Sequence, residues 1–267
     1  MTEATQPEAM KKAHRLEKIV EIAASIEEVW DALTDGKKLS NWFPLEARVK
    51  PGKNGSIFVS WGPGCEGEAE IVAWEPGKKI AWQERTALVE FTLEARGGKT
   101  LVRLVQSGFF TGADWENEWF DSTNYGWDFM LLSLRVWLEL HRGEERKVAW
   151  PRLPVSVSRE EAYHRLLGKD GLFREDAAAS LLPGKKFTLT SFGGDTISGQ
   201  VELVKEPRGV CLRVSEWNNA LFWVTIEGAG DKFDAQVWIS TFGLTQSRVE
   251  ALREEWDSRL SKVLAYF

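Results

Sequence analysis

The sequence predicts two α+β domains in tandem, each a curved antiparallel sheet packed on a long C-terminal helix. Three observations carry that expectation. Short segments of alternating apolar and polar residues occur in two series, separated by turn residues such as Glu75-Pro76-Gly77 and Gly97-Gly98. Each series ends in a long stretch with helical apolar spacing: Trp127, Leu131, Leu134 and Leu138 in one, Val249, Leu252, Trp256, Leu260 and Val263 in the other. Each series also opens on a similar segment, IAASIEEVW at 22–30 and VSVSREEAY at 155–163. A chain of 267 residues suits two domains. The expected division is a flexible tail over 1–15, a first domain over 16–143, a charged and then Pro-rich linker over 144–154, and a degenerate second copy over 155–267.

In the first domain, 16–24 reads as a strand. Ser25 and Glu28 then have the spacing of a capping box, with Val29, Trp30 and Leu33 on one apolar helix face. Thr34-Asp35-Gly36 closes that helix, and Leu39, Trp42 and Phe43 cluster before Pro44. The alternating segments follow, with Ile57, Val59 and Trp61 on one face, then Ala69, Ile71 and Ala73, then Ile80, Trp82 and Glu84. Val89, Phe91 and Leu93 share the next face, and Val102, Leu104 and Gln106 the last. The closing helix is expected from Ser122 to His141. Met130, Val136 and Trp137 widen its stripe, which predicts a well-buried helix.

The second domain repeats the plan, with strands at 186–192, 197–204, 210–217, 220–227 and 233–240 and a helix from 245 to 264. Ser158 and Glu161 repeat the capping box, and Ser247 with Glu250 can cap the last helix. The Trp-Phe-Pro cluster has no counterpart here. Leu221, Trp223 and Trp238 fall on the face opposite Phe222, Val224, Val237 and Ile239. A sheet with one helix-covered face turns its other face to water, so Trp223 and Trp238 read either as half-buried cross-strand neighbours or, with Leu221, as a domain–domain or homodimer contact.

A net charge of −6 disfavours nucleic acid and anionic membrane as partners, since both require a basic face. Cys65 and Cys211 lie far apart and make no disulfide framework. No apolar run reaches the length of a spanning helix, and 1–15 lacks a signal-peptide core, so a cytoplasmic protein is expected. Gly62, Gly64 and Gly67 match a dinucleotide fingerprint, but an alternating strand follows where a helix is needed, so the segment reads as a hairpin loop. His14, His141 and His164 have neither metal-ligand nor triad spacing, so no metal and no cofactor is expected. The acidic, aromatic run 114–121 reads as a loop whose Trp115, Trp119 and Phe120 lie on the core or close over a cavity.

The order of strand, capped helix with Val29-Trp30, and Trp42-Phe43-Pro44 resembles the opening of the heat-shock-protein-90 ATPase activator-like family. That family lies in the START-like (SRPBCC, helix-grip) superfamily. The segments 67–76, 79–82 and 100–109, with Gly126-Trp127, resemble its later strands and the start of its long helix. The resemblance implies a concave sheet gripping one helix, with an apolar ligand cavity between them. The side chains expected to line it are Trp42, Phe43, Trp61, Ile71, Trp82, Glu84 and Phe91. Gln106, Phe109, Trp127, Met130, Leu131 and Leu134 complete the expected lining.

The family often carries His at the position of Gln106 and Trp at that of Glu84, so this cavity departs from the family's chemistry. Glu84 has three readings: a strand end that brings it to water, a polar anchor for a ligand, or a general acid or base. The leading expectation is a binder of a small hydrophobic or aromatic molecule with no defined catalysis. The alternatives are a chaperone-ATPase-activator-like interaction module and a cyclase, dehydratase or hydrolase using Glu84.

Overall fold

A computed structural model describes residues 13–110, 114–229 and 232–265. Seven strands make the first sheet: β1 (Ala13–Ile22), β2 (Glu46–Lys50), β3 (Ser56–Ser60), β4 (Glu66–Glu75), β5 (Lys79–Glu84), β6 (Ala87–Arg96) and β7 (Lys99–Phe110). They pair antiparallel in the order β1-β7-β6-β5-β4-β3-β2. Two short helices, α1 (Ile26–Thr34) and α2 (Gly36–Leu39), separate β1 from β2, and the long α3 (Asp114–Leu140) follows β7. Both bonds of the capping box form at α1: Ser25 Oγ accepts from the Glu28 amide at 3.3 Å, and the Ser25 amide donates to Glu28 Oε2 at 2.8 Å. Asp35 then accepts from the Lys38 amide at 3.0 Å, so the residue that ends α1 also starts α2.

The second half contains β8 (Arg146–Ala149), β9 (Arg152–Val155), α4 (Arg159–Leu167), α5 (Ala177–Ser180) and β10 (Lys186–Thr190). It continues with β11 (Thr196–Lys205), β12 (Gly209–Val214), β13 (Ala220–Ala229), β14 (Lys232–Phe242) and α6 (Gln246–Leu264). Strands β10 to β14 pair in chain order, and both β8 and β9 pair with β14. Ala149 faces Ile239 and Arg152 faces Gln236 in one unbroken register, so residues 146–155 run as a single edge strand interrupted at Trp150-Pro151. That edge strand holds the place that β1 holds beside β7. The second sheet is thus the first one short of one strand. The chain is two tandem helix-grip units.

Five elements differ from the expectation. The stretch 144–154, expected as a linker, supplies most of this edge strand; its prolines are tolerated because an edge position leaves some N–H groups unused. The run 114–121, expected as a loop, forms the first turns of α3, where its carboxylates favour the positive end of the helix. The strand β2 was not anticipated, and β1 reaches into the expected tail. Helix α6 is capped by Thr245, whose hydroxyl accepts from the Arg248 amide at 3.3 Å, and not by Ser247 with Glu250.

Eleven of the fourteen residues from Tyr125 to Leu138 are buried, so α3 is covered on two opposite faces, with only a polar strip through Asp128 and Arg135 left towards solvent. The first sheet covers one side, and the outer face of the second sheet covers the other. Trp223 stacks on Phe129 at 4.1 Å between ring centroids, and its Nε1 donates to Tyr125 Oη at 2.8 Å. Trp238 meets Trp61 at 5.9 Å and Trp150 at 4.8 Å, and Leu221 is fully buried in the same cluster. The aromatic outer face therefore makes a domain–domain contact within the chain. The layers run sheet, helix, sheet, helix. In the second unit the space between sheet and α6 is filled by Phe173, Trp217, Phe222 and Trp256, with Phe222 and Trp256 only 4.4 Å apart.

One end of the contact is held by charge. Glu118 of α3 accepts from Arg159 at 2.6 Å and from Arg208 at 2.8 Å, and Arg208 also lies 3.5 Å from Glu227. Burial raises the Glu118 pKa, but the two guanidinium hydrogen bonds and their charges outweigh it and hold the carboxyl below its ordinary value. The unfolded chain therefore takes up a proton at Glu118 at a higher pH than the folded one. The stability that Glu118 contributes is complete above the ordinary carboxylate pKa and is lost as pH falls through the folded value. Urea unfolding should show this loss between about pH 5 and pH 3, and Glu118→Gln should flatten that part of the profile. Removing the stacked indole by Trp223→Ala should cost about 3–5 kcal/mol in the same measurement.

Candidate functional site

A cavity of 550 Å³ lies where the first sheet, α3 and the second sheet meet. The first sheet contributes Ile57, Val59, Trp61, Ala69, Trp82, Val89 and Gln106, and Phe43 reaches in from the segment after α2. Helix α3 contributes Ser122, Thr123, Gly126, Trp127 and Met130. The second domain closes the remaining side with Trp150, Trp223, Glu227, Gln236 and Trp238. A hollow of 750 Å³ near His164, Arg165, Lys169 and Lys262 is lined mostly by charged side chains, unlike this one.

Of the residues expected at the site, Phe43, Trp61, Trp82, Glu84, Gln106, Trp127 and Met130 come together on the cavity wall. Trp42, Ile71, Phe91, Phe109, Leu131 and Leu134 lie in the core behind it. Trp42 is fully buried, and its Nε1 donates to the Ala32 carbonyl at 2.8 Å. Phe91 is stacked on Trp82 at 5.4 Å and meets the edge of Trp127 at 5.8 Å. Phe109 packs on Trp119 at 4.7 Å and Phe120 at 5.2 Å. Strand alternation identifies the inward face but not the depth along it, and large rings fill the deep end. Phe43 lies parallel to Trp127 at 5.1 Å and forms part of that plug.

Gln106 is buried, and its amide oxygen accepts from Trp127 Nε1 at 2.5 Å. Its first role is to orient the indole; its amide N–H2 is the end left for other acceptors. Glu84 is the last residue of β5, on the inward register yet exposed to solvent. Its carboxylate lies over Gly67 of the neighbouring strand, so close that a Cβ there would meet Glu84 Oε2 at 3.1 Å. Of the three readings of Glu84, the strand end explains how it reaches water. Trp115, expected to lie on the core or over a cavity, is 63% exposed; it lines an adjoining groove with Trp119, Glu84 and Arg85.

The wall residues from the second domain were not expected at a ligand site. Trp223 and Trp238 carried a signal, since aromatic side chains on an outer sheet face require a cover. Trp150 lay in the expected linker. Glu227 and Gln236 gave no signal, because only the docking of the two sheets brings them near α3. Glu227 accepts from Ser122 Oγ at 2.8 Å and Thr225 Oγ1 at 2.7 Å, and Gln236 Oε1 accepts from Trp150 Nε1 at 3.0 Å. Among the described residues, no three His, Cys, Asp or Glu side chains converge as a metal site would need.

Residues 23–139 match the family model described as Activator of Hsp90 ATPase homolog 1-like protein. The match spans the first domain, from before α1 to near the end of α3, and supports the family reading for that domain. No curated protein matches the chain. Among solved structures, the chain is similar to the Aha1 dimer from Colwellia psychrerythraea, with 23% identity over 49% of this chain and 99% of that one, at a TM-score of 0.44. It is similar to DynU16, a protein of the dynemicin biosynthetic locus, with 17% identity over 94% of this chain and 96% of that one, at a TM-score of 0.42. CalU16 from Micromonospora echinospora matches at 21% identity over 48% of this chain and 75% of that one, with a TM-score of 0.39. No helix of the described residues is long and apolar enough to cross a membrane.

Gly126 explains part of the hollow. It sits inside α3 on the cavity wall, where glycine costs helix stability, and a Cβ added there meets nothing within 4 Å. Neither backbone geometry nor packing demands glycine at this position. Gly126→Ala should therefore raise the unfolding free energy by about 0.5–1 kcal/mol in urea titration, and a loss of stability there would show that the space is not open.

Proposed function

We propose that the protein binds a small hydrophobic or aromatic molecule in the cavity between its two domains. The observation that carries this reading is an unfilled space walled by aromatic rings from both sheets, beside a helix position that keeps glycine at a cost to its own stability. Indole and phenyl rings supply contact area at low entropic cost, while Gln106 and Gln236 offer a few polar anchors. Burying roughly 300 Å² of ligand surface at about 25 cal/mol/Å² gives some 7 kcal/mol before association costs, which makes micromolar affinity a reasonable upper value. The second domain has filled its own interior and acts as the outer wall of the first domain's site.

Nile red, a neutral dye whose emission shifts to the blue in apolar surroundings, tests the reading on the full chain. The dye should bind the wild type, and Gly126→Phe, which sends a ring into the space from a position where a Cβ meets nothing within 4 Å, should weaken binding at least tenfold with an unchanged circular dichroism spectrum. Equal binding by the two proteins would remove the cavity as the site. Native mass spectrometry of protein purified from cells should also show a non-covalent adduct, absent from the Gly126→Phe variant. The chaperone-activator reading rests on the family match over residues 23–139. Its assay is stimulation of a chaperone ATPase by the purified protein.

A further inference from the structure

We propose that the molecule held in this cavity carries a positively charged nitrogen on its hydrophobic body, placed against Glu84. This rests on the binding reading above and assigns the ligand's charge. The ionisable side chains on the wall are Glu84 and Glu227; among the described residues no lysine, arginine or histidine lines it. Ligands with a carboxylate or phosphate would therefore meet two carboxylates and no cation. Glu227 is already occupied by Ser122, Thr225 and, at 3.5 Å, Arg208. The Glu84 carboxylate makes no ion pair with another described residue. It reaches the cavity because Gly67 leaves room for it on the adjacent strand.

The rings complete the case. An ammonium group is attracted to the face of an indole, Trp being the strongest of the aromatic side chains in this respect. Two wall indoles already hold cations of the protein itself: Arg152 lies over Trp150 at 4.9 Å and Arg146 over Trp238 at 5.6 Å. Trp61 and Trp82 have no such partner among the described residues, and Trp82 lies two residues from Glu84 on the same register of β5. Arg208 and Arg159 are held by Glu118, and Arg208 also by Glu227, while Arg85 borders the adjoining groove and not the cavity. The result is a hydrophobic box with one free negative group at its mouth.

Three ring-matched competitors of Nile red test this on the full chain: 2-naphthylmethylamine, 2-naphthylmethanol and 2-naphthoate, which are cationic, neutral and anionic near pH 7. The amine should displace the dye at about one-tenth the concentration of the alcohol at low salt, with naphthoate the weakest. That advantage should shrink at about 0.5 M salt, since Glu84 is exposed and screened. In Glu84→Gln the ratio of amine to alcohol should fall towards one, and Glu84→Lys should move the preference to naphthoate. An alcohol or naphthoate as strong as the amine in the wild type, or an amine advantage intact in Glu84→Gln, overturns the charge assignment and leaves the cavity reading standing. Nile red bound but displaced by none of the three also overturns it. Failure of Nile red and of all three probes removes both readings together.

Discussion

The structure depends on one constraint: α3 is apolar on two opposite faces, with Asp128, Arg135 and Glu139 on a polar strip between them, and needs two covers. A single sheet can bury only one stripe of a helix, about a third of its surface. Tyr125, Phe129 and Leu132 face away from the stripe of Trp127, Leu131, Leu134 and Leu138, and in a lone helix-grip domain they would stand in water. The second sheet meets that need with Trp223 on Phe129 and with Leu221 and Cys211 buried in the same core. The interface is more than apolar. Trp223 donates to Tyr125 and Glu118 gathers Arg159 and Arg208, so polar atoms taken out of water find partners. The two domains therefore share a core, and neither is complete by itself.

From that shared core comes the division of labour between two copies of one architecture. In the second unit, Phe173, Trp217, Phe222 and Trp256 occupy the space where a helix-grip domain can hold a guest. Its outer face, which in a solitary domain would be polar, is given over to holding the first unit. In the first unit the deep end is plugged by Trp42, Phe91, Phe43 and Trp127, while the mouth stays open because Gly67, Ala69 and Gly126 are small. The open part is then roofed by Trp150, Trp223 and Trp238. A cavity between domains is thus a consequence of burying α3 twice, with small residues setting where the space remains.

The aromatic excess acquires a physical explanation in the same terms. Fourteen tryptophans are too many for one core. Here most of them divide among the plug of the first unit, the filled interior of the second, the contact between the units and the cavity wall, while Trp30 pairs with Trp74 and Trp115 and Trp119 border the adjoining groove. Most indole N–H groups described at the contact have named acceptors, among them Gln106, Tyr125, Gln236 and Ser240. Trp256 Nε1 is buried without one, a local cost that the close packing on Phe222 offsets.

Much of this was legible in the residues themselves. Alternation and helical spacing are local properties, so the strands, the two closing helices and the Ser25–Glu28 cap could be read directly, as could the inward register of Trp61, Trp82, Glu84 and Gln106. The unusual outer face at Leu221, Trp223 and Trp238 could also be read, because burial of aromatic area leaves a mark on both faces of a strand. Depth within the sheet could not be read, which is why Trp42, Phe91 and Phe109 lie behind the cavity and not on it. Nor could the edge strand through Trp150, whose prolines resemble a linker until β14 supplies its partner. What only the tertiary structure decided is which surface covers α3, and with it the arrival of Glu227 and Gln236 at the site. Such contacts join residues about a hundred positions apart, and no pattern within a segment encodes a distance of that kind.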